Sequence, residues 1–258
     1  MALQIVVCIK AVIMQAPKGR ITRSSDSCEL NPYDLPALEM ALRLREEHGG
    51  TVTALSMGPE PCAFVLHEAM AMGVDRSVLV CDSALAGSDT LATSTALAAA
   101  IKKLAPFDLL LFGTRSADSD TGQVGPQTAV LLDSPLVTGV HAVEKKETGV
   151  IVARRADGFL EKFEVSFPAV LTIGLGSVQP RDMKLFAIEV AFEEGDVEQW
   201  CLKDLGLSMD LVGEAGSGTK VLSMSPVDRG RKCQFLSGSA EEQADQLIKR
   251  LVESGFIG

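Results

Sequence analysis

The chain has 258 residues, is 47% hydrophobic and carries a formal charge of −10, enough for one large α/β core with an appendage or for two modest domains. That acidity argues against nucleic-acid binding, which needs a basic footprint. Six scattered cysteines without a Cys-x-x-Cys pair or a nearby histidine are unlike a zinc or iron–sulfur site and read as buried thiols in a reducing compartment.

The start Met1-Ala-Leu-Gln-Ile-Val-Val-Cys-Ile-Lys10 has an apolar core too short for a signal peptide, and no run of about 18 apolar residues suggests a membrane span. The expected setting is soluble and cytoplasmic. Leu3–Ile9 reads as a first strand. Pro36–Glu47 reads as a helix, with Leu38, Ala41, Leu42 and Leu44 on one side. Thr51–Met57 is a second strand, Cys62–Met72 a helix, Ser77–Cys81 a strand and Thr90–Leu104 an alanine-rich helix. Leu109–Phe112 is a strand, and Gln127–Leu132 a helix opening at about Pro126. Strand–helix alternation predicts an α/β fold, a doubly wound and mostly parallel sheet with helices on both faces. After Pro135, the short alternating stretches Val137–Val143, Val150–Arg155 and Phe159–Phe167 predict a β-hairpin insertion over about 137–167, and Ala169–Ile173 a return to the sheet. The nucleotide-binding domain is expected over 1–180. From about Gln179 the chain reads as irregular and charged, ending in a helix over Ala240–Glu253, so 181–258 is expected to be an arm packing on a partner.

The most informative stretch is Gly113-Thr-Arg-Ser-Ala-Asp-Ser-Asp-Thr-Gly-Gln-Val-Gly-Pro126, directly after the apolar run Phe107-Asp-Leu-Leu-Leu-Phe112. Ligands gather at the carboxyl ends of strands in open α/β sheets. Backbone N–H groups at Gly113, Ser116, Ser119, Gly122 and Gly125, with the positive end of a following helix, would suit the phosphates of a nucleotide. The stretch is neither a P-loop nor a Rossmann fingerprint, and ordinary surface turns share its composition. Asp118 and Asp120 read as loop-shaping Asx residues or ligand contacts, without the histidine or metal cluster an acid–base site needs. Ala86-Gly-Ser-Asp-Thr-Leu-Ala-Thr93 offers a second anion site or plain capping by Ser88 or Asp89. Asn31-Pro-Tyr-Asp34 reads as a turn and cap before the first helix, and Met57-Gly58-Pro59 ends the second strand similarly. No catalytic residue is assigned, His48, His67 and His141 included.

At these motifs the chain resembles the β subunit of the electron transfer flavoproteins. The resemblance rests on Ile5-Val-Val-Cys-Ile-Lys10, Asn31-Pro-Tyr-Asp34, Glu39-x-Ala-Leu-Arg-Leu44, Ser56-Met-Gly-Pro59 and Ala69-Met-Ala-Met-Gly-Val-Asp75. It continues through Asp89-Thr-Leu-Ala-Thr93, Asp118-x-Asp-Thr-x-Gln-Val-Gly-Pro126, Pro168-Ala-Val-Leu-Thr172, Asp204-Leu-Gly-Leu207 and Ala215-Gly-Ser217, covering roughly Leu3 to Thr219.

The resemblance implies a heterodimer with a larger α subunit, which holds most of a flavin in a mobile domain. It implies an adenine nucleotide in this chain: structural AMP in simple members, FAD in electron-bifurcating members that oxidise NADH. The stretch Asp120–Pro126 is similar to the bifurcating type, so FAD is expected, with AMP the alternative. Thr90, Thr93 and the N–H groups around Gln123, Val124 and Gly125 would hold its phosphates, with Asp89, Gly113 and Pro126 at the same edge. Asp118 or Ser116 would touch the adenosine half, and Asn31, Met57, Cys8 and Lys10 would line the adenine pocket; Arg115 would stabilise an anionic flavin semiquinone or be a plain surface arginine, and Asp120 belongs to the cofactor-binding stretch. An acyl-CoA-type dehydrogenase is the implied partner. Departures fall at Thr114-Arg-Ser-Ala117, at Ser119 where bifurcating members tend to have Gly, and in Ala11–Gly19, which lacks the family's Pro-Asp turn. They also include Phe186–Asp196, acidic where relatives carry Lys-Ala-Lys-Lys, which predicts a different partner surface. The rival from another class is a universal-stress-type nucleotide sensor, which would leave the hairpin and the long tail unexplained.

Overall fold

The computed structural model describes residues 2–14, 28–220 and 233–257. Residues 15–19 of the missing Pro-Asp turn, and 221–232 of the expected arm, lie outside the described residues. Leu-Gln-Ile-Val-Val-Cys forms strand β1 (Leu3–Cys8), buried at every position but Gln4, as a strand covered on both faces must be. Two short strands, β2 (Ala11–Val12) and β3 (Glu29–Leu30), pair antiparallel and lead into helix α1 (Leu35–His48), which ends at Gly49 with φ +74°. Then follow β4 (Gly50–Met57), α2 (Phe64–Met72), β5 (Arg76–Val80), α3 (Thr90–Leu104), β6 (Leu109–Gly113) and α4 (Val124–Leu131). The antiparallel strands β7 (Leu136–Lys145), β8 (Gly149–Ala156) and β9 (Phe159–Ser166) precede β10 (Ala169–Ile173). The first compact unit closes with α5 (Leu185–Glu193), β11 (Val197–Trp200), α6 (Leu202–Leu205) and α7 (Gly213–Gly216).

One nine-stranded sheet has the order β11-β5-β4-β1-β6-β10-β7-β8-β9, and it is parallel from β11 through β7. Two apolar layers cover it. Leu38, Ala41 and Leu42 of α1 and Val65 and Leu66 of α2 pack on one face. Ala96, Ala100 and Ile101 of α3 and Ala129 of α4 pack on the other, beside Val6, Leu110 and Val170. This is the expected doubly wound sheet. From β1 the chain steps outward to β4 and β5, then crosses back to place β6 on β1's other side. The switch point therefore lies between the exits of β1 and β6, where such sheets bind ligands.

The strands expected after Pro135 form the antiparallel insertion β7–β8–β9, and β7 pairs with β10, which joins the insertion to the main sheet. One expectation needs correction. The stretch after Gln179 is not irregular, because α5 packs on α2 and β11 adds a parallel strand beyond β5. His67 Nδ1 lies 2.8 Å from the Ala191 carbonyl, and its ring centroid is 5.2 Å from that of Phe192. The first compact unit runs to Lys220. The second unit, described by itself, is α8 (Ala240–Glu253), opened by a reciprocal cap between Ser239 and Glu242.

Candidate functional site

The residues singled out in the sequence gather at the carboxyl edge of the parallel strands, but they divide into two groups with different jobs. The first knots the switch point. Asn31, 1% exposed, donates from Nδ2 to the Arg115 carbonyl (2.8 Å) and accepts the Ala117 N–H at Oδ1 (3.2 Å). Its backbone N–H meets the Lys10 carbonyl at 2.9 Å. Asn31 therefore fastens the loop after β6 to the exit of β1. The Lys10 ammonium sits 2.7 Å from Asp118 Oδ1 and 3.5 Å from Ser116 Oγ. Ser116 and Ser119 hydroxyls are 2.8 Å apart. Arg115 lies over the Tyr33 ring at 4.5 Å, donates to its hydroxyl at 3.0 Å, and pairs with Asp120 at 3.2 Å.

Asp34, expected to cap α1, makes no side-chain cap bond. Its carboxylate instead accepts the Lys10 N–H at 2.8 Å and the Gly113 N–H. Burial pushes its pKa up to about 7, against the opposing effect of those hydrogen bonds. The Cys8 thiol, also buried, is pushed up by desolvation and by Asp34.

These contacts change the reading of the Gly113–Pro126 loop. It is not a row of open amides: Gly113 donates to Asp34, Ala117 to Asn31, and Asp120 to the Ser116 carbonyl at 2.8 Å. Asp120 itself takes φ +54° and Gly122 φ +62°, the turn that brings the chain round to α4. Met57, at the exit of β4, is partly buried and packs against the core layer below α3.

The second group lies at the start of α3 and α4. Helix α4 begins earlier than expected, so Val124, Gly125 and Pro126 form its first turn and Gln123 stands before it without a side-chain cap. First-turn N–H groups have no intrahelical acceptor and form an anion site. Gly125 is closely packed there: a Cβ would meet the Phe112 and Thr172 side chains at 3.2 Å. The Thr90 hydroxyl is 3.4 Å from Gln123 Oε1, and Gln127 Nε2 reaches the same oxygen at 3.3 Å. Buried Ser94 joins the two helices, donating to the Thr90 carbonyl (2.7 Å) and lying 3.2 Å from the Val124 carbonyl. Thr93, half-buried, stands one turn on, its N–H given to the Asp89 carbonyl at 3.0 Å.

Asp89 has a different assignment from the one expected of a ligand contact. Its carboxylate accepts the Ala92 N–H at 3.0 Å and the Thr219 N–H at 2.9 Å, with further N–H groups from Leu91 and Gly218. The N-terminus of α3 is thus already occupied by its own cap, and α4 presents the open one. The same carboxylate straps residues 217–219 onto α3, helped by Ser217 Oγ, which accepts the Asp89 N–H at 2.7 Å. The Ala92 N–H bond, with the others, holds Asp89 below the usual carboxylate range. Its stabilisation is therefore present above the ordinary carboxylate pKa and lost as acid protonates it. Asp89→Ala should cost about 1–2 kcal/mol at neutral pH and much less near pH ~3, measured by urea unfolding at both.

Sequence reading missed Asp34, Ser94, Gln127 and Ser217. Asp34 carried a signal, its place in Asn31-Pro-Tyr-Asp34; the others look like ordinary polar residues until the helices are packed.

The electron transfer flavoprotein domain model matches residues 19–204. The chain is 39% identical over 222 residues to the electron transfer flavoprotein subunit beta of Thermoanaerobacterium thermosaccharolyticum, covering 86% of this chain and 85% of that one. It is 37% identical over 263 residues to the caffeyl-CoA reductase-Etf complex subunit CarD of Acetobacterium woodii, covering 99% and 100%. It is 35% identical over 268 residues to the acryloyl-CoA reductase electron transfer subunit gamma of Anaerotignum propionicum, again covering 99% and 100%.

Proposed function

The chain belongs to the electron transfer flavoprotein family, as a β-type subunit, and from that premise we propose that it holds FAD at the carboxyl edge of its sheet and relays electrons within a heterodimer. The observation that carries this reading is the uncapped first turn of α4, set beside the Thr90 hydroxyl at the switch-point edge. Backbone N–H groups at Val124 and Gly125, aided by Thr90, Thr93 and Gln123, suit a pyrophosphate. The residues present therefore fit a nucleotide. Asn31, Met57, Cys8 and Lys10 lie on the side of the adenosine half, with Ser116, Asp118, Arg115 and Asp120 along the rim.

Bound FAD would supply the redox chemistry, taking hydride from NADH or electrons from a dehydrogenase. The chain's own part is placement. The Asn31 clamp fixes the loop after β6, and the Lys10–Asp118 pair ties that loop to the exit of β1. The Asp120-Thr-x-Gln-Val-Gly-Pro126 stretch supports FAD over AMP, and with it the electron-bifurcating type.

The expected acidic partner face takes a more apolar form. Leu185 and Phe186 of α5 are 83% and 75% exposed, and Met209 and Leu211 are exposed as well. Exposed apolar groups flanked by Glu189, Glu193 and Glu194 support docking on other chains. These are the α subunit and a dehydrogenase or reductase acting on a CoA thioester, in keeping with the names of two relatives. Among the described residues no helix is long and apolar enough to cross a membrane; the scattered cysteines of the sequence support a reducing, cytoplasmic setting.

The test is to co-express the chain with its α subunit, denature the complex and identify the released nucleotides. Two FAD per heterodimer are expected. One FAD with one AMP would overturn FAD in this chain and leave simple transfer, and no nucleotide beyond the α subunit's FAD would overturn nucleotide binding by this chain.

A further inference from the structure

Of the two buried carboxylates among the described residues, Glu39 meets two guanidinium groups, whereas Asp34 meets only hydrogen-bond donors of the main chain and an amide. The nearest cation, the Lys10 ammonium, is bonded to Asp118. The fit around Asp34 is tight: a Cβ on Gly113 would stand 2.3 Å from Asp34 Oδ1. A buried carboxylate without a bonded cation opposes folding, and a group kept at that cost on the ligand edge of the sheet points to a task there. Its geometry says which task. One oxygen, Oδ2, receives the N–H of Lys10 just past β1, while the Gly113 N–H at the exit of β6 is directed to the same carboxylate. The residue itself precedes the first turn of α1.

We propose that Asp34 is a proton-dependent positioning residue: ionised, it draws the exits of β1 and β6 together at the start of α1, and protonated, it holds one of them more weakly. A protonated carboxyl keeps one full carbonyl acceptor, while its other oxygen becomes a hydroxyl and a weaker acceptor, so one of the two converging N–H groups loses its charge-assisted bond. The groups facing it from each element are the Cys8 thiol and Lys10 of the β1 end, the Asn31 amide of the turn, the Gly113 N–H of β6 and the N-terminus of α1. With its pKa raised to about 7, the change falls at neutral pH. The folded state binds this proton more tightly than the unfolded chain. Ionisation of Asp34 therefore lowers stability progressively from pH ~4 to ~7 and no further above that. The consequence for the ligand rests on the nucleotide reading above: the ionised, closed form is the one that binds.

Two measurements on the full chain in complex with its α subunit test this. Hydrogen exchange of peptides spanning Lys10 and Gly113, corrected for intrinsic rates, should show weaker protection at pH ~6 than at pH ~8. Affinity for added FAD or AMP, after removal of bound nucleotide, should fall about tenfold over the same interval, as the ionised fraction drops from ~0.9 to ~0.1. In Asp34→Asn, with one carbonyl in place of two acceptor oxygens, both dependences should vanish and affinity should sit at the acid wild-type level. An unchanged pH slope in Asp34→Asn, or exchange at Lys10 and Gly113 indifferent to pH, overturns the proposal. If that variant does not fold, the wild-type exchange profile decides. Failure of both nucleotides to bind at any pH, with exchange still titrating, would remove the nucleotide reading and leave the positioning role standing.

Discussion

Gly113→Ala is expected to destabilise the protein by about 3 kcal/mol or more and to empty the nucleotide site with it. The reason is a close approach of backbones. A Cβ there would lie 2.3 Å from Asp34 Oδ1, 2.4 Å from the Tyr33 carbonyl oxygen and 2.7 Å from its carbon. A side-chain tip can swing away, but the main chain of Asn31–Asp34 cannot, because Asn31 is bonded to both Lys10 and the loop after β6. The new methyl must either push β6 out of line with β1 or lift the turn and its clamp. Gly158, at the β8–β9 turn, is the control: it has φ +82°, and an added methyl would meet nothing within 4 Å. Gly158→Ala should cost about 1 kcal/mol of backbone strain and leave nucleotide content unchanged. Urea unfolding of both variants, with nucleotide extraction, separates the effects; a Gly113→Ala protein within ~0.5 kcal/mol of wild type would refute the steric account.

Glu39→Ala should cost about 2–3 kcal/mol. Glu39 lies buried on α1, with Arg43 Nε at 2.7 Å and Arg181 Nε at 2.8 Å, and its Oε2 also accepts the Arg181 N–H at 3.1 Å. Arg181 continues to Glu46. Burial pushes the Glu39 pKa up, yet the bonds from Arg181 and Arg43 outweigh it and hold the carboxyl below its ordinary range. The stabilisation is therefore full above the ordinary glutamate pKa and lost as pH falls below it. Removing Glu39 leaves Arg181 half-paired and frees the segment that leads into α5. Glu46→Ala, at the solvent end of the network, should cost ~1 kcal/mol or less. Comparing the two by denaturant unfolding at neutral and acid pH checks both the ranking and the sign. Comparable losses from the two substitutions would mean that burial of Glu39 contributes nothing beyond a surface pair.

The parts of the fold legible in the sequence are those whose signals are local. Thr90–Leu104 is a helix at those bounds because Asp89 caps it and alanines fill its buried side, and Ala169–Ile173 is a strand because four apolar residues and a β-branched threonine follow Phe-Pro. What escapes depends on contacts far along the chain. Val-Glu-Gln-Trp is too short and too polar to announce a strand, and β11 exists because β5 offers it an edge. Leu185–Glu193 reads as irregular between charged stretches, although α2 gives it a surface to pack on. Asp34 looks like a cap because Asn-Pro-x-Asp before a helix is the capping pattern; its actual partner, Gly113, is distant in sequence. Likewise the Gly113–Pro126 loop is legible in its place but not in its detail. Several of its donors serve the protein itself, and the open ones belong to the first turn of α4.

The place of β11 also bears on how the chain is made. Strand β5 gains one neighbour, β4, as soon as it leaves the ribosome, but its other edge waits for Val197–Trp200, about 120 residues later. At ~5–20 residues per second that wait lasts roughly 6–24 s. Throughout it, Val78, Leu79 and Val80 border an unpaired strand edge, the kind of surface that templates misassociation. A nascent chain interrupted before residue 197 would carry a nearly finished sheet with one sticky border, so the late strand acts as the closing seam of biosynthesis.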